Sequence, residues 1–354
     1  MDATDPLAAT QPDAAPPPEP RRGGAGKALV VLVVLVLALA TAAPVLDQIW
    51  QIALAGLHLA AETPTHDHVW LVLNALPELR IQFAILGVVF WVLAAAVGLR
   101  ATSLVALFCV VVNLGIIVQS IDPERVRAPA ARDADLRLMT FNIDAYNGDR
   151  DATVAAIRAA KVDVVVLVEA VTDWQRALEP LRRNYAHVVP SDVRASQGMM
   201  IFSRFPILRI QQMQPISEYY PYLVATLQLP SGTVTLLALH PPRPTRIGES
   251  IDRAIYFARV ADQVRTIAGP VVVAGDMTAV PWSRPLADMM RQTGLTSAWS
   301  LKPWLSSWPS WLPYVGLPID HVLVRGIAVA DVRLGNGAGS DHLPVIATLD
   351  LDAK

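Results

Sequence analysis

The apolar positions of this chain fall into two textures. Between residues 28 and 118 they form long uncharged runs: Ala28 to Leu46, Ile81 to Gly98 and Thr102 to Val118. At about 1.5 Å of rise per helical residue, each reaches across most or all of a bilayer's hydrocarbon, so about three N-terminal transmembrane helices are expected. Only Leu99, Arg100 and Ala101 separate the second run from the third, which predicts a tight hairpin of membrane helices. Asn113, the amide inside that hairpin, is read as a helix–helix hydrogen-bonding group. A shorter apolar stretch, Ile49 to Ala61, is followed by His66, Asp67 and His68 and predicts an interfacial or loop segment.

From about residue 135 the apolar runs shorten and alternate with segments of helical period. Leu136 to Ile143 reads as a strand, Asp151 to Ala160 as a short helix, and the valine-rich Val162 to Val168 as a strand buried on both faces. Gly198 to Phe202 is a further strand. Leu223 to Leu229 and Val234 to Leu239 form a hairpin through Ser231-Gly232. Ile251, Ile255, Ala258, Ala261, Val264 and Ala268 recur at helical spacing until Gly269-Pro270 ends them. Val271 to Ala274, Ile319 to Val324, Ile327 to Leu334 and Val345 to Leu349 complete the strand set. Hairpins mixed with strand-helix-strand units predict stacked sheets with helices outside.

Composition sharpens these boundaries. An apolar content of 53% with mean hydropathy +0.39 is high for a soluble chain and places part of it in lipid. Residues 1–27, rich in Pro, Gly and scattered acids, read as a disordered tail. Residues 28–120 then form the membrane anchor, 121–134 a linker, and 135–354 a separate domain. Ala40-Thr41-Ala42 has the small-x-small form of a signal-peptidase site, but the long polar leader disfavours cleavage. With three spans, Arg21, Arg22, Lys27 and Arg100 lie on one side, and Arg80, Arg125, Arg127 and Arg132 on the other. That balance slightly favours a cytoplasmic N-terminus and an exported C-terminal domain. From residue 123 onward 24 basic and 22 acidic side chains leave a charge near +2, unlike a dedicated nucleic-acid binder. Cys109 is the only cysteine, so no intrachain disulfide is possible.

Candidate chemistry gathers at strand ends. Asp320-His321 and Asp341-His342 each place an acid and an imidazole beside a short apolar run. Val164 to Val168 ends in Glu169, and Val271 to Gly275 ends in Asp276, one carboxylate at the C-terminal edge of each strand. Asn142 and His240 end two other runs, and Pro241-Pro242-Arg243-Pro244 would hold an imidazole and a guanidinium at one rim, apt for a phosphate. Oxygen ligands of this kind suit Mg²⁺ or Mn²⁺ rather than Zn²⁺. No Gly-rich phosphate loop and no G-x-S-x-G is present, which argues against an NTPase or a serine hydrolase. Trp299, Trp304, Trp308, Trp311 and Tyr314 crowd the segment before Asp320, as a rim over the site, a membrane-dipping loop, a local core or a base-stacking platform.

In order, Thr140-Phe141-Asn142, Val166 to Glu169, Gly198 to Arg204, Leu239-His240, Gly275-Asp276, Ile319 to His321 and Ser340 to His342 resemble the endonuclease/exonuclease/phosphatase superfamily. The preceding membrane hairpin is similar to membrane-anchored bacterial members of that group. The resemblance implies a four-layer α/β sandwich, two packed mixed β-sheets flanked by helices, and a Mg²⁺- or Mn²⁺-dependent phosphoric ester hydrolase in the bacterial inner membrane. It implies that Glu169, Asn142 and Asp341 hold the cation. His342, oriented by Asp320, would move a proton, Asp276 would position or deprotonate water, and His240, Arg243, Asn142 and Thr278 would contact substrate. One departure stands out. The family usually carries Asn where Gly275-Asp276-Met277 is followed here by Thr278, so an impaired site acting as a tethered binding module is the rival expectation. The expected substrate is a phosphate ester, of nucleic acid or of phospholipid, the other expected partner is the bilayer, and no protein partner is inferred.

Overall fold

The computed structural model describes residues 24–56, 72, 75–126, 135–191 and 197–351. Residues 1–23 of the expected tail, the His66-Asp67-His68 stretch and most of the 121–134 linker lie outside these residues, whereas Gly24 to Lys27, expected as tail, form the first turn of a helix. Among the described residues, three helices are long and apolar enough to cross a membrane: spans Gly24–Ala43, Leu76–Ala96 and Arg100–Gln119. The first belongs to α1 (Gly24–Gly56), the second to a 3₁₀ turn (Leu76–Leu79) continued by α2 (Arg80–Ala96), and the third to α3 (Arg100–Gln119). Asn113 does join helices: its amide donates to Thr41 Oγ1 at 2.9 Å and accepts from Arg80 Nη1 at 3.0 Å. The stretch from Ile49 to Gly56 is helical, because α1 continues past Asp47, so of the two readings for this stretch the loop is set aside over these residues. Extending an existing helix costs little, since each added residue brings its own hydrogen bond, so a polar residue can end a span without ending the helix.

The remaining described residues form two six-stranded sheets. The first has the order β11-β12-β1-β2-β4-β3, with β1 (Leu136–Asn142), β2 (Val164–Val168), β3 (His187–Pro190), β4 (Met199–Ser203), β11 (Ala328–Leu334) and β12 (Val345–Asp350). The second runs β5-β6-β7-β8-β10-β9, with β5 (Ile207–Met213), β6 (Tyr222–Leu229), β7 (Gly232–Leu239), β8 (Val271–Asp276), β9 (Thr296–Ser297) and β10 (Asp320–Arg325). Each sheet is mixed, with one parallel pair: β1 with β2 across α4 (Arg150–Ala160), and β7 with β8 across α6 (Ile247–Arg265). A short helix α5 (Thr172–Ala177) packs outside the first sheet, and α7 (Arg284–Thr293) packs outside the second.

The cores account for four layers. Leu138, Val166, Leu236, Ala274 and Val322 meet between the sheets. Phe141, Leu167, Ile157 and Trp174 fill the space under α4 and α5. Leu237, Val273, Tyr256, Val260 and Leu286 do the same under α6 and α7. Alternate residues of β1, β2, β7 and β8 thus serve two cores, which is why these strands read as unbroken apolar runs. The four-layer α/β sandwich is the architecture found.

Strand register aligns the chemistry. Asn142 pairs with Val168, so Glu169 follows one step beyond it. Leu239 pairs with Gly275, which sets His240 beside Asp276, and Asp276 itself pairs with Asp320 across the β8–β10 ladder. At Gly275 the strands approach so closely that a Cβ would fall 1.9 Å from the Leu239 carbonyl oxygen, and φ is +149°, so only glycine fits.

Candidate active site

Asn142, Glu169, His240, Asp276, Asp320 and His342 come together, all of them buried. The amide of Asn142 is the hub. Its Nδ2 donates to Glu169 Oε1 at 3.1 Å and to Asp276 Oδ2 at 3.0 Å, and lies 3.4 Å from His342 Nε2. Two carboxylates from different sheets therefore converge on one donor. Glu169, with φ +60°, also accepts the Ala145 N–H at 3.1 Å and the Arg243 guanidinium. His342 Nδ1 lies 2.7 Å from Asp320 Oδ2, and its Nε2 lies 3.8 Å from Asp276 and 3.9 Å from Asp341. His240 Nε2 is 3.8 Å from Asp276 and 4.0 Å from Glu169, and neither of its ring nitrogens has a hydrogen-bond partner among the described residues.

The titration behaviour follows from these neighbours. Burial disfavours an imidazolium at His342, but Asp320, Asp276 and Asp341 outweigh it and raise the pKa to about 10. At His240 burial wins over Asp276 and Glu169 and lowers the pKa, so this ring is neutral. Burial, then the charge of Asp320, pushes Asp276 above the usual carboxylate value. For Glu169 burial acts upward, but His240, Asn142, the Ala145 N–H and Arg243 together hold it below that value. With His240 neutral, the amide, the backbone N–H and the guanidinium are the groups that keep Glu169 ionised.

Three expected residues sit differently from the rest. Asp341 is exposed; its carboxylate accepts the Trp308 indole N–H at 2.9 Å. Arg243 spends its guanidinium on Glu169, the expected cation ligand, rather than standing free for a phosphate. Thr278 donates its hydroxyl to the Pro242 carbonyl at 3.0 Å, because φ of +46° folds its side chain back over the loop. A non-glycine residue in that region costs about 1–3 kcal/mol and persists only where its surroundings hold it.

His321 does not join the site. Successive strand residues face opposite ways, so Asp320 points inward to His342 while His321 buries its ring and pairs Nε2 with the Ala279 carbonyl at 2.8 Å. Burial lowers its pKa to about 4. An unfolded histidine takes up a proton near pH 6.5 and the folded one does not until about 4, so stability is full above 6.5 and falls as pH drops through that window. The loss is roughly 3 kcal/mol at its foot. His321→Gln should remove this slope, which unfolding free energies measured from pH 7 to 4 will show; an unchanged slope would assign the acid sensitivity elsewhere.

Ser340 belongs to the last motif of the sequence but has no role assigned there, because nothing local to a serine says what its hydroxyl will bond. Its Oγ donates to the Asn142 carbonyl at 2.8 Å and accepts the His342 N–H at 3.0 Å, tying the last motif to the first. The aromatic segment divides. Trp299 is buried and donates to the Asp320 carbonyl at 2.8 Å, Trp308 borders Asp341, and Trp304, Trp311 and Tyr314 are exposed.

Two ligand sets suit a hard cation. Asp276, Asp320 and His342 bring ligand atoms within 4.8 Å of one another. Two of those three, Asp320 and His342, are already paired with one another. Glu169 and Asn142 instead meet where an amide, the Ala145 N–H and an arginine offset buried negative charge, and their oxygen atoms fit Mg²⁺ or Mn²⁺.

A sequence model described as the Endonuclease/Exonuclease/phosphatase family matches residues 139–342. Among sequence relatives, a UPF0294 protein of Klebsiella pneumoniae is 26% identical over 230 residues, 62% of this chain and 83% of its own length. Among solved structures, an endonuclease/exonuclease/phosphatase from Beutenbergia cavernae superposes with TM-score 0.54 at 22% identity, over 62% of this chain and 72% of that one. TDP2 of D. rerio, solved in complex with a single-stranded DNA product, gives TM-score 0.54 at 17% identity over 61% and 98%.

Proposed function

Because the chain belongs to the endonuclease/exonuclease/phosphatase family, we propose that it is a membrane-anchored, Mg²⁺- or Mn²⁺-dependent phosphodiesterase that cleaves a phosphate ester by in-line attack of water. The observation that carries this reading is the single buried cluster in which Glu169, Asn142, His240, Asp276, Asp320 and His342 meet. Glu169 and Asn142, with Asp341 at the exposed edge, would hold the cation, whose charge would offset that on the phosphate oxygens.

The remaining roles follow from protonation. His342, kept cationic by Asp320 and Asp276, is placed to hydrogen-bond a phosphate oxygen and to give a proton to the leaving oxygen. Asp276, with its raised pKa, is the better base of the carboxylates for taking the proton of the attacking water. The neutral His240, with unpartnered ring nitrogens, offers an N–H to a phosphate oxygen. Buried donors fixed before the substrate arrives stabilise the developing charge without reorganising.

The three apolar helices make the bilayer the chain's expected setting, in a bacterial inner membrane with the catalytic domain on the outer side. Trp304, Trp311 and Tyr314 are exposed near Val315 and Gly316, whose carbonyls accept the Gln82 amide, the latter at 3.3 Å. Aromatics beside a membrane helix favour a phosphoester presented at the lipid surface over a nucleic acid. The full chain in nanodiscs should cleave bis-p-nitrophenyl phosphate and phospholipid in Mn²⁺ or Mg²⁺ and lose activity in EDTA. Cleavage of DNA alone, falling steeply with salt, would transfer the reading to a nuclease.

Thr278→Asn tests the rival, a fold retained for binding. Asparagine tolerates positive φ and can reach the Pro242 carbonyl, so activity should stay within about threefold of the parent. A silent parent whose Asn variant turns over would establish the impaired site instead.

A further inference from the structure

We infer that the membrane segment supplies a positioning residue for the active site: Glu78, at the start of the second apolar helix, holds the loop that carries Asp276 and Thr278. The inference rests on the phosphodiesterase reading above.

Glu78 lies in the turn Leu76–Leu79 and reaches into the catalytic domain. Its Oε2 accepts the Val280 N–H at 3.0 Å, and its Oε1 pairs with Arg253 Nη2 at 3.2 Å. The other terminal nitrogen of Arg253, a residue of α6, donates to the Thr278 carbonyl. Both charged side chains are buried, 11% exposed for Glu78 and 3% for Arg253. The Trp282 indole N–H donates to the Pro77 carbonyl at 2.9 Å beside them, so the helix end and the loop are docked at more than one point.

What this arrangement holds is a strained turn. Thr278 keeps φ at +46° with its N–H on Asp276 Oδ1 at 2.8 Å, its hydroxyl on Pro242 and its carbonyl on Arg253. The first of these contacts fixes the Asp276 carboxylate so that Oδ2 meets Asn142 and faces both histidines. An unusual backbone persists where its surroundings over-determine it, and two of the constraints on this loop, at Val280 and at Arg253, come from Glu78. A lone buried charge is costly, so Glu78 and Arg253 are retained as a pair. A pair serving only to dock the helix would need no third contact to the residue two positions beyond the proposed base.

The test uses the full chain in nanodiscs, with bis-p-nitrophenyl phosphate as substrate and the folded fraction measured for every sample. Glu78→Gln should lower kcat per folded molecule about tenfold or more, while KM and the half-saturating Mn²⁺ concentration stay within about twofold. Arg253→Lys keeps the charge opposite Glu78, but one ammonium cannot span both the carboxylate and the Thr278 carbonyl, so it should show the same kcat loss. If either variant folds and its kcat per folded molecule matches the parent, the inference is overturned, since the pair then only docks the helix. Should Glu78→Gln fail to fold, Arg253→Lys decides alone. An inactive parent would sink the phosphodiesterase reading rather than this one.

Discussion

His342→Ala is expected to lower kcat/KM about a thousandfold, the scale of a lost general acid together with a lost phosphate contact. The geometry makes this the most sensitive position of the chain. Its Nδ1 sits 2.7 Å from Asp320, its Nε2 faces Asp276 and Asp341, and no other described imidazole is cationic at neutral pH within the cluster. Removal also strands Asp320, which is fully buried and already has one unpartnered carboxylate oxygen. Stability should therefore fall as well. The raised pKa means that the imidazolium's contribution is fully present below pH 6.5 and disappears only as pH climbs towards 10, so the alanine variant is the less stable protein throughout the neutral range. His342→Asn, whose amide nitrogen lies where Nδ1 donates to Asp320, separates the two effects: it should recover melting temperature and leave kcat/KM low. An asparagine variant as active as the parent would remove His342 from the chemistry.

The long apolar runs and the strand-end acids were legible because each depends on neighbours in sequence. A helix that crosses lipid must be apolar throughout, and a strand that serves two cores must be apolar on both faces, so Val164–Val168 and Val271–Asp276 announced themselves. Other elements stayed silent for equally physical reasons. β5 (Ile207–Met213) is an edge strand with exposed Leu208 and Ile210, so no buried face imposes an alternation to read. α7 (Arg284–Thr293) buries only Leu286, Met289 and Thr293, too few apolar positions to stand out in a polar stretch. The site itself was legible residue by residue but not in its pairings. Nothing local says that Arg243 turns to Glu169, that Thr278 turns to Pro242, or that Glu78 reaches a loop 202 positions away. Such contacts depend on which strands become neighbours, and that is set by the whole sandwich rather than by any segment.

The same pairings determine what Glu169→Gln will do. Its Oε1 meets both the Asn142 amide and Arg243, and its Oε2 takes the Ala145 N–H. A glutamine keeps the shape and one acceptor oxygen but loses the charge for which the cation and Arg243 compete. The half-saturating Mn²⁺ concentration should rise at least about a hundredfold, and kcat/KM at limiting cation should fall about a thousandfold. Calorimetric titration of Mn²⁺ reads the first effect without turnover, so a loss of affinity can be told from a loss of chemistry. Arg243, released from its partner, would then swing free at the rim, and excess cation should restore much of the rate because Asp276, Asp320 and His342 are untouched. Mn²⁺ affinity equal to the parent's would move the ion away from the β1–β2 side and onto the Asp276, Asp320 and His342 group, and with it the assignment of base and acid made above.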